Sequence, residues 1–431
     1  MVEEADKSQW TDSRLGNSAV TRWILGPCAS LTGSIGAQQS MQIWGQNVPL
    51  FAFKLQAVTP DTAQHGPMRI LCFGRARERP SMARIDIAPL TQWITEAALD
   101  HGDALPTHLM ERLQISRRRA GHVLRRLVAA QWLTSLGTPR KPRYQPGSLR
   151  QVVRRYSLAG LHEDLPWRRD FAPRFELPNQ VTRMAEHAFT ELLNNAIDHS
   201  GGGSVTVSMR QTPLQMQLLV SDDGCGLFER VAQSFDIQDP QLAMLELSKG
   251  KLTSAPDRHC GHGLFFTSRL ADIFDLHANA AAFQCCSWGK RAWKSRRPAA
   301  RVGTSVYVAI TLDTLRTLDD VLREHSSTGS GYAFERTSVP LHLLTGNQSG
   351  AMLASRADAK RAVHRLQAFR HAEVDFTGIA HVGHGFADEM FRVFALQQPG
   401  LELQPVGMAT QVAAMVGSVR ESVALSALGR P

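Results

Sequence analysis

No apolar run in this 431-residue chain approaches the ~18 residues that a membrane-spanning helix needs, so a membrane-embedded helical protein is excluded. The opening residues, Met1-Val2-Glu3-Glu4-Ala5-Asp6, lack the basic and apolar regions of a secretory signal; a cytoplasmic chain is expected. Cysteine is scarce. The six thiols form no CxxC pair, and their spacing suits neither a zinc knuckle nor a ladder of disulfides, so they read as reduced. With 43% apolar and 20% charged residues the chain is neither collagen-like, nor disordered, nor a small disulfide scaffold. At roughly 100–200 residues per domain, about three domains are expected.

Acidic residues are missing from one stretch. Arg112 to Arg169 holds fourteen Lys or Arg against Glu163 and Asp164, a local excess of twelve positive charges, whereas the rest of the chain is slightly acidic. Such an excess points to a polyanionic partner for that segment. Residues 1–81 show no lasting period and are expected to be a poorly ordered leader, or a stretch upstream of a true start at Met82. Residues 82–150 read as three helices and a hairpin. Ile87, Leu90, Trp93, Ile94 and Ala97 recur at helical spacing, Pro106 opens a second helix and Ser116 caps a third. This order resembles a winged helix-turn-helix, which implies that Arg117, Arg118, Arg119 and Arg125 face a DNA major groove and that Arg140, Lys141 and Arg143 on the wing meet phosphate. The alternative is a basic linker with solvated arginines.

A second constellation runs from Glu191 to Thr304. On an amphipathic helix from Met184 to His199, the residues Glu191, Asn195 and Asp198 fall within about 60° of one another at ~100° per residue. A carboxylate beside a carboxamide suits a general base next to an Mg²⁺ ligand. After a Gly201-Gly202-Gly203 turn, the alternating segments Val205–Met209 and Met216–Val220 predict a hairpin. It runs into Asp222-Asp223-Gly224-Cys225-Gly226, where glycine brings backbone close to a ligand. Later, Gly261-His262-Gly263 opens a helix expected over Leu264–Phe274, which can offer backbone N–H groups to phosphate. The strand Gly303–Ile310 closes the unit.

These four elements together resemble the GHKL ATP-binding fold of gyrase, MutL-type proteins and histidine kinases, over residues 165–315. The resemblance implies an α/β sandwich with helices on one face of a mixed sheet, binding ATP and Mg²⁺. It implies that Asn195, rather than its neighbour Asn194, holds the metal and that Glu191 activates water. Asp222 would accept the adenine amino group with Thr304 in support, Gly224 and Gly226 would lie against the nucleotide, and Gly261 and Gly263 would face the phosphates. Lys249 and Lys251 fall in the family's ATP lid. Either reaches the γ-phosphate, or both are solvated loop lysines.

Beyond a Ser326–Gly331 linker, residues 330–425 alternate strand and helix: strands at Val339–Leu344, Ala372–Phe376 and Leu401–Val406, helices at Ser355–Phe369 and Gly385–Ala395. The run Val374–Glu389 resembles STAS-like domains, closest to one of unknown function that follows GHKL modules in some bacterial proteins. That implies a small α/β domain with a protein partner, but its loop, Val382-Gly383-His384-Gly385-Phe386, lacks the serine that anti-sigma antagonists phosphorylate. Asp388 and Glu389 form an acidic partner surface or serve the start of the helix. The whole is expected to be an α+β multidomain regulator, able to form a homodimer, whose ATP cycle switches DNA binding and partner contact. An anti-sigma-type serine/threonine kinase and a non-catalytic adaptor are the alternatives.

Overall fold

The computed structural model describes residues 85–138, 140–253, 261–288, 292–299, 301–326, 333–346, 348 and 350–428. The leader expected over 1–81 lies outside them, as do Lys290 and Arg291, which belong to a basic run, with Lys294, Arg296 and Arg297, ahead of the strand at Gly303–Ile310.

Three helices come first: α1 (Ile94–His101), α2 (Leu105–Leu113) and α3 (Arg117–Ala129). The helical spacing that begins at Ile87 does not make one continuous helix, because a 3-10 turn at Pro89–Gln92 precedes α1. The Ser116 hydroxyl accepts from the Arg119 N–H and caps α3. The antiparallel hairpin β1 (Leu133–Thr138) and β2 (Lys141–Pro146) follows. Ile94, Leu105, Leu109, Leu124 and Leu127 are fully buried in a core belonging to this unit alone.

A seven-stranded sheet carries the middle of the chain. Its strands are β3 (Arg150–Ser157), β4 (Ser204–Gln211), β5 (Gln215–Asp222), β6 (Ile273–Ala278), β7 (Ala281–Cys286), β8 (Lys294–Ser295) and β9 (Thr304–Thr311). Their order is β3-β4-β5-β9-β6-β7-β8 and every pairing is antiparallel. The mixed sheet expected from the sequence is therefore corrected. Strands β5 and β6 do run in the same direction, but β9 lies between them, so no two neighbours are parallel. The long helix α4 (Asn179–His199) packs on β5 and β9, burying Met184, Phe189, Leu192 and Leu193. Each such side chain removed from water contributes about 1.5–3 kcal/mol.

Helices α5 (Leu227–Phe235), α6 (Pro240–Lys249) and α7 (Gly263–Leu270) lie between β5 and β6 in sequence. Helix α7 ends four residues short of the expected Phe274. The Asp272 carboxylate accepts from the Thr311 N–H and hydroxyl and pairs with Arg316, which commits the chain to strand β6. Helix α8 (Leu318–Glu324) opens with a capping box between Thr317 and Asp320.

The last unit pairs β10 (Arg336–Pro340), β12 (His371–Asp375) and β14 (Glu402–Val406) in parallel, and separately β11 (Ala351–Leu353) with β13 (Ile379–Val382). Helices α9 (Arg356–Val363), α10 (His384–Asp388) and α11 (Thr410–Leu428) accompany them. The strand expected to reach Leu344 stops at Pro340, and residues Leu341–Thr345 form a 3-10 turn. Helix α9 stops at Val363 because Arg365 takes the left-handed conformation at φ 63° while its guanidinium reaches Glu246 and the Lys251 carbonyl. One buried apolar cluster spans both this unit and the seven-stranded unit, from Val152 to Val419. Among the described residues no helix is long and apolar enough to cross a membrane.

Candidate functional site

Residues from α4, β5, β9 and the turn before α7 converge on one cavity of about 320 Å³. That volume suits a small organic ligand. The apolar stripe of α4 faces the sheet, which leaves Glu191, Asn194, Asn195 and His199 to line the cavity rim. Asp222 ends β5 and is buried; its Oδ1 accepts from the Gly224 N–H (2.9 Å) and the Thr304 N–H (3.1 Å). Asp222 also lines the cavity, so the carboxylate, held through Oδ1 by two amides, presents a fixed acceptor at the cavity wall. Burial pushes its pKa up, against the two amides and the nearby Arg301 guanidinium.

The glycines have separate jobs. Gly303 (φ +90°) lets β9 approach Asp222, since a β-carbon there would overlap the Asp222 carbonyl. Gly226 (φ +94°) lines the cavity ahead of α5. Gly224 does not line it. A side chain at that position would overlap the Ser200 carbonyl, so this glycine lets the turn pass the end of α4. Gly261 and Gly263 both line the cavity, and a β-carbon on Gly263 would overlap Glu191 Oε2.

Three expected site residues stand elsewhere. Asp198 is half-buried on α4 and does not line the cavity. Lys249 is 1% exposed: its ammonium sits 2.7 Å from Glu246 and donates to the His364 carbonyl at 3.0 Å. The Lys251 ammonium donates to the Ala368 carbonyl (2.7 Å) and lies 4.4 Å from the centroid of the Phe369 ring. Both lysine side chains are thus turned toward the C-terminal unit, and neither lines the cavity. Burial lowers the pKa of each. Cavity residues that the motifs did not disclose are Arg230, Phe235, His262 and the Leu252–Thr253 segment.

The donor set fits Mg²⁺. That ion is usually held by one or two protein oxygens and completed by phosphate and water, and the Asn195 carboxamide beside the Glu191 carboxylate offers such oxygens. No cluster of three or more His, Cys, Asp or Glu with metal-site geometry occurs among the described residues.

Residues 160–283 match the family model of the histidine kinase-like ATPase domain. That span holds Glu191, Asn195, Asp222 and Gly263. Residues 358–408 match a STAS-like domain of unknown function. No curated protein matches the chain.

A second surface lies on the N-terminal unit. Arg117, Arg118, Arg119 and Arg125 are all exposed on α3, and Arg140, Lys141 and Arg143 are exposed on the hairpin. Arg143 pairs with Asp103 at 3.2 Å. The unit is fixed to the edge strand β3: the buried Thr95 hydroxyl accepts from the Gln151 N–H, and Glu96 on α1 pairs with Arg154 and Arg174. In the C-terminal unit, Asp388 and Glu389 are buried, and Asp388 is clamped by Arg392. They form no exposed acidic surface; the helical run begins at His384, and Asp388 precedes and Glu389 opens its π-helical segment Glu389–Phe394.

Proposed function

We propose that the chain is an ATP-binding regulator in which nucleotide occupancy and hydrolysis switch DNA binding and contact with a protein partner. The observation that carries it is the convergence of Glu191, Asn195, Asp222 and Thr304, from three different elements, on one cavity floored by Gly261 and Gly263. Asp222 Oδ2 accepts the adenine amino group while Oδ1 is held by backbone amides. Asn195 would hold Mg²⁺, which would supply charge neutralisation to a bound polyphosphate. Glu191 takes a proton from the attacking water, and the backbone at Gly261 and Gly263 meets phosphate at the start of α7.

The base of the cavity rim supports the switching role. The Thr337 hydroxyl donates to the Lys249 carbonyl (2.7 Å), Arg365 donates to the Lys251 carbonyl, and the Lys251 N–H donates to the Gly261 carbonyl (2.9 Å). Residues that line the nucleotide cavity are thereby tied to the STAS-like unit through two peptide units. The seven-residue basic face of α3 and the hairpin is the DNA-binding element of this reading, a winged helix-turn-helix over residues 82–150.

Incubating the protein with ATP labelled at the γ-phosphate tests the reading. Free labelled phosphate supports the ATPase. Label on protein would favour a serine/threonine kinase, which the same Glu191 would serve with a hydroxyl in place of water. Binding without turnover would leave an adaptor.

A further inference from the structure

Once Lys249 and Lys251 are drawn to the C-terminal unit, Arg230 is the single lysine or arginine lining the cavity among the described residues. The acids Glu191 and Asp222 line the same cavity, so its cationic character rests on this side chain. Arg230 belongs to the first turn of α5, where the helix dipole disfavours a cation. Its Nε donates to the His199 carbonyl at 2.8 Å, at the C-terminal end of α4. That bond fixes the plane of the guanidinium, and no ion pair consumes its remaining N–H groups among the described residues. A cation held at a positive helix end, in a cavity also lined by two carboxylates and oriented by one carbonyl, is arranged for an anion that arrives with the ligand.

We propose that Arg230 binds the phosphate chain of the nucleotide and sets the preference for phosphorylated over unphosphorylated adenine ligands. This rests on the reading of the cavity as an ATP site. The guanidinium fork engages phosphate oxygens with two N–H groups while Nε keeps its carbonyl, a geometry that lysine does not reproduce.

Titration calorimetry of the full chain with adenosine, AMP, ADP and ATP tests it, using wild type, Arg230→Ala, Arg230→Gln and Arg230→Lys. Glutamine retains a donor for the His199 carbonyl but no charge. All three variants should bind adenosine within about twofold of wild type. Affinity for ATP should fall roughly 10–100-fold in the alanine and glutamine variants, as loss of a charge-assisted hydrogen bond requires, with partial recovery in lysine. The first member of the ligand series to show the loss identifies the phosphate contacted. Equal loss for adenosine and ATP would overturn the proposal, because Arg230 would then only fasten α5 to α4. ATP affinity unchanged in Arg230→Gln would overturn it too, while leaving the ATP site standing. A wild type that binds no member of the series would remove the ATP site itself, and the proposal with it.

Discussion

Gly263 and Glu191 occupy each other's space: a β-carbon on Gly263 would stand 2.9 Å from Glu191 Cδ and overlap its Oε2. The glycine that begins α7 therefore sets where the carboxylate of α4 lies. Its φ is not in the left-handed region, so alanine is acceptable to the backbone and only the contact is tested. Gly263→Ala should push the carboxylate aside and lower ATP turnover by ~10²-fold, the scale of a misplacement of about 1 Å. Glu191→Ala in the same chain removes the overlapping atoms, so the double variant should recover the thermal stability that Gly263→Ala loses. Additive losses in melting temperature would show that the two residues are not coupled.

Hydrolysis should separate from binding at Glu191. Removing a general base typically costs ~10²–10⁴-fold in rate, whereas Asn195, Asp222 and the glycine turns still hold the nucleotide. Phosphate release by Glu191→Gln at saturating ATP, alongside a binding titration, reads both. Equal release rates would deny Glu191 its catalytic role.

The Asp222 and Gly261–Gly263 parts of the cavity were legible in the sequence because each is carried by a local turn. Asp222 at a strand end with two following glycines, and Gly261-x-Gly263 at a helix start, are short segments whose geometry depends on their own residues. The lysines were not legible. Lys249 and Lys251 lie next to the cavity in sequence, but the carbonyls that hold them in the C-terminal unit, those of His364 and Ala368 respectively, are more than 110 residues away. Arg230 was hidden for the converse reason, since it enters the cavity only because α5 folds back on the end of α4. Strand β6 escaped notice because five of its six residues are buried, which erases the alternation that marks a half-buried strand.

Asp222→Asn should weaken ATP binding without weakening the fold. Oδ1 of asparagine still accepts from Gly224 and Thr304, but the amide then turns a donor toward the adenine amino group. Because burial raises the Asp222 pKa, the folded chain keeps its proton at a pH where the unfolded chain has lost it. That contribution to stability is present at low pH and disappears as pH rises through the folded-state value. Ionised Asp222 is thus a net cost at neutral pH, and the asparagine variant should melt at the same or a higher temperature while its ATP affinity drops at least tenfold. Unchanged ATP affinity would refute the adenine role.

DNA affinity should be salt-dependent, with each phosphate contact adding about −0.9 to the slope of log K against log salt. Replacing Arg117, Arg118 and Arg119 together by alanine should flatten the slope. All three are exposed, and the Arg119 N–H that Ser116 caps is retained. Absence of any duplex shift by wild type at low salt would remove DNA from the proposed function.

The buried pair Glu246–Lys249 should be costly to break and cheap to replace. Both side chains are 1% exposed, and Glu246 also meets Arg365 at 3.4 Å. Glu246→Gln strands the Lys249 ammonium in the joint between the two units, a loss of about 3–5 kcal/mol. Burial already lowers the Lys249 pKa while Glu246 opposes the fall, so removing the carboxylate lowers it further. A lysine with a depressed folded-state pKa binds fewer protons folded than unfolded, so stability rises with pH across that interval. The melting temperature of Glu246→Gln should therefore drop at neutral pH and approach wild type as the solution becomes alkaline. Replacing both residues by apolar side chains, Glu246→Leu with Lys249→Met, should be near neutral in stability. If the joint serves the switch, that double variant should still bind ATP but lose the nucleotide dependence of proteolytic protection in the C-terminal unit. A double variant as unstable as Glu246→Gln would show that packing, and not the stranded charge, governs this joint.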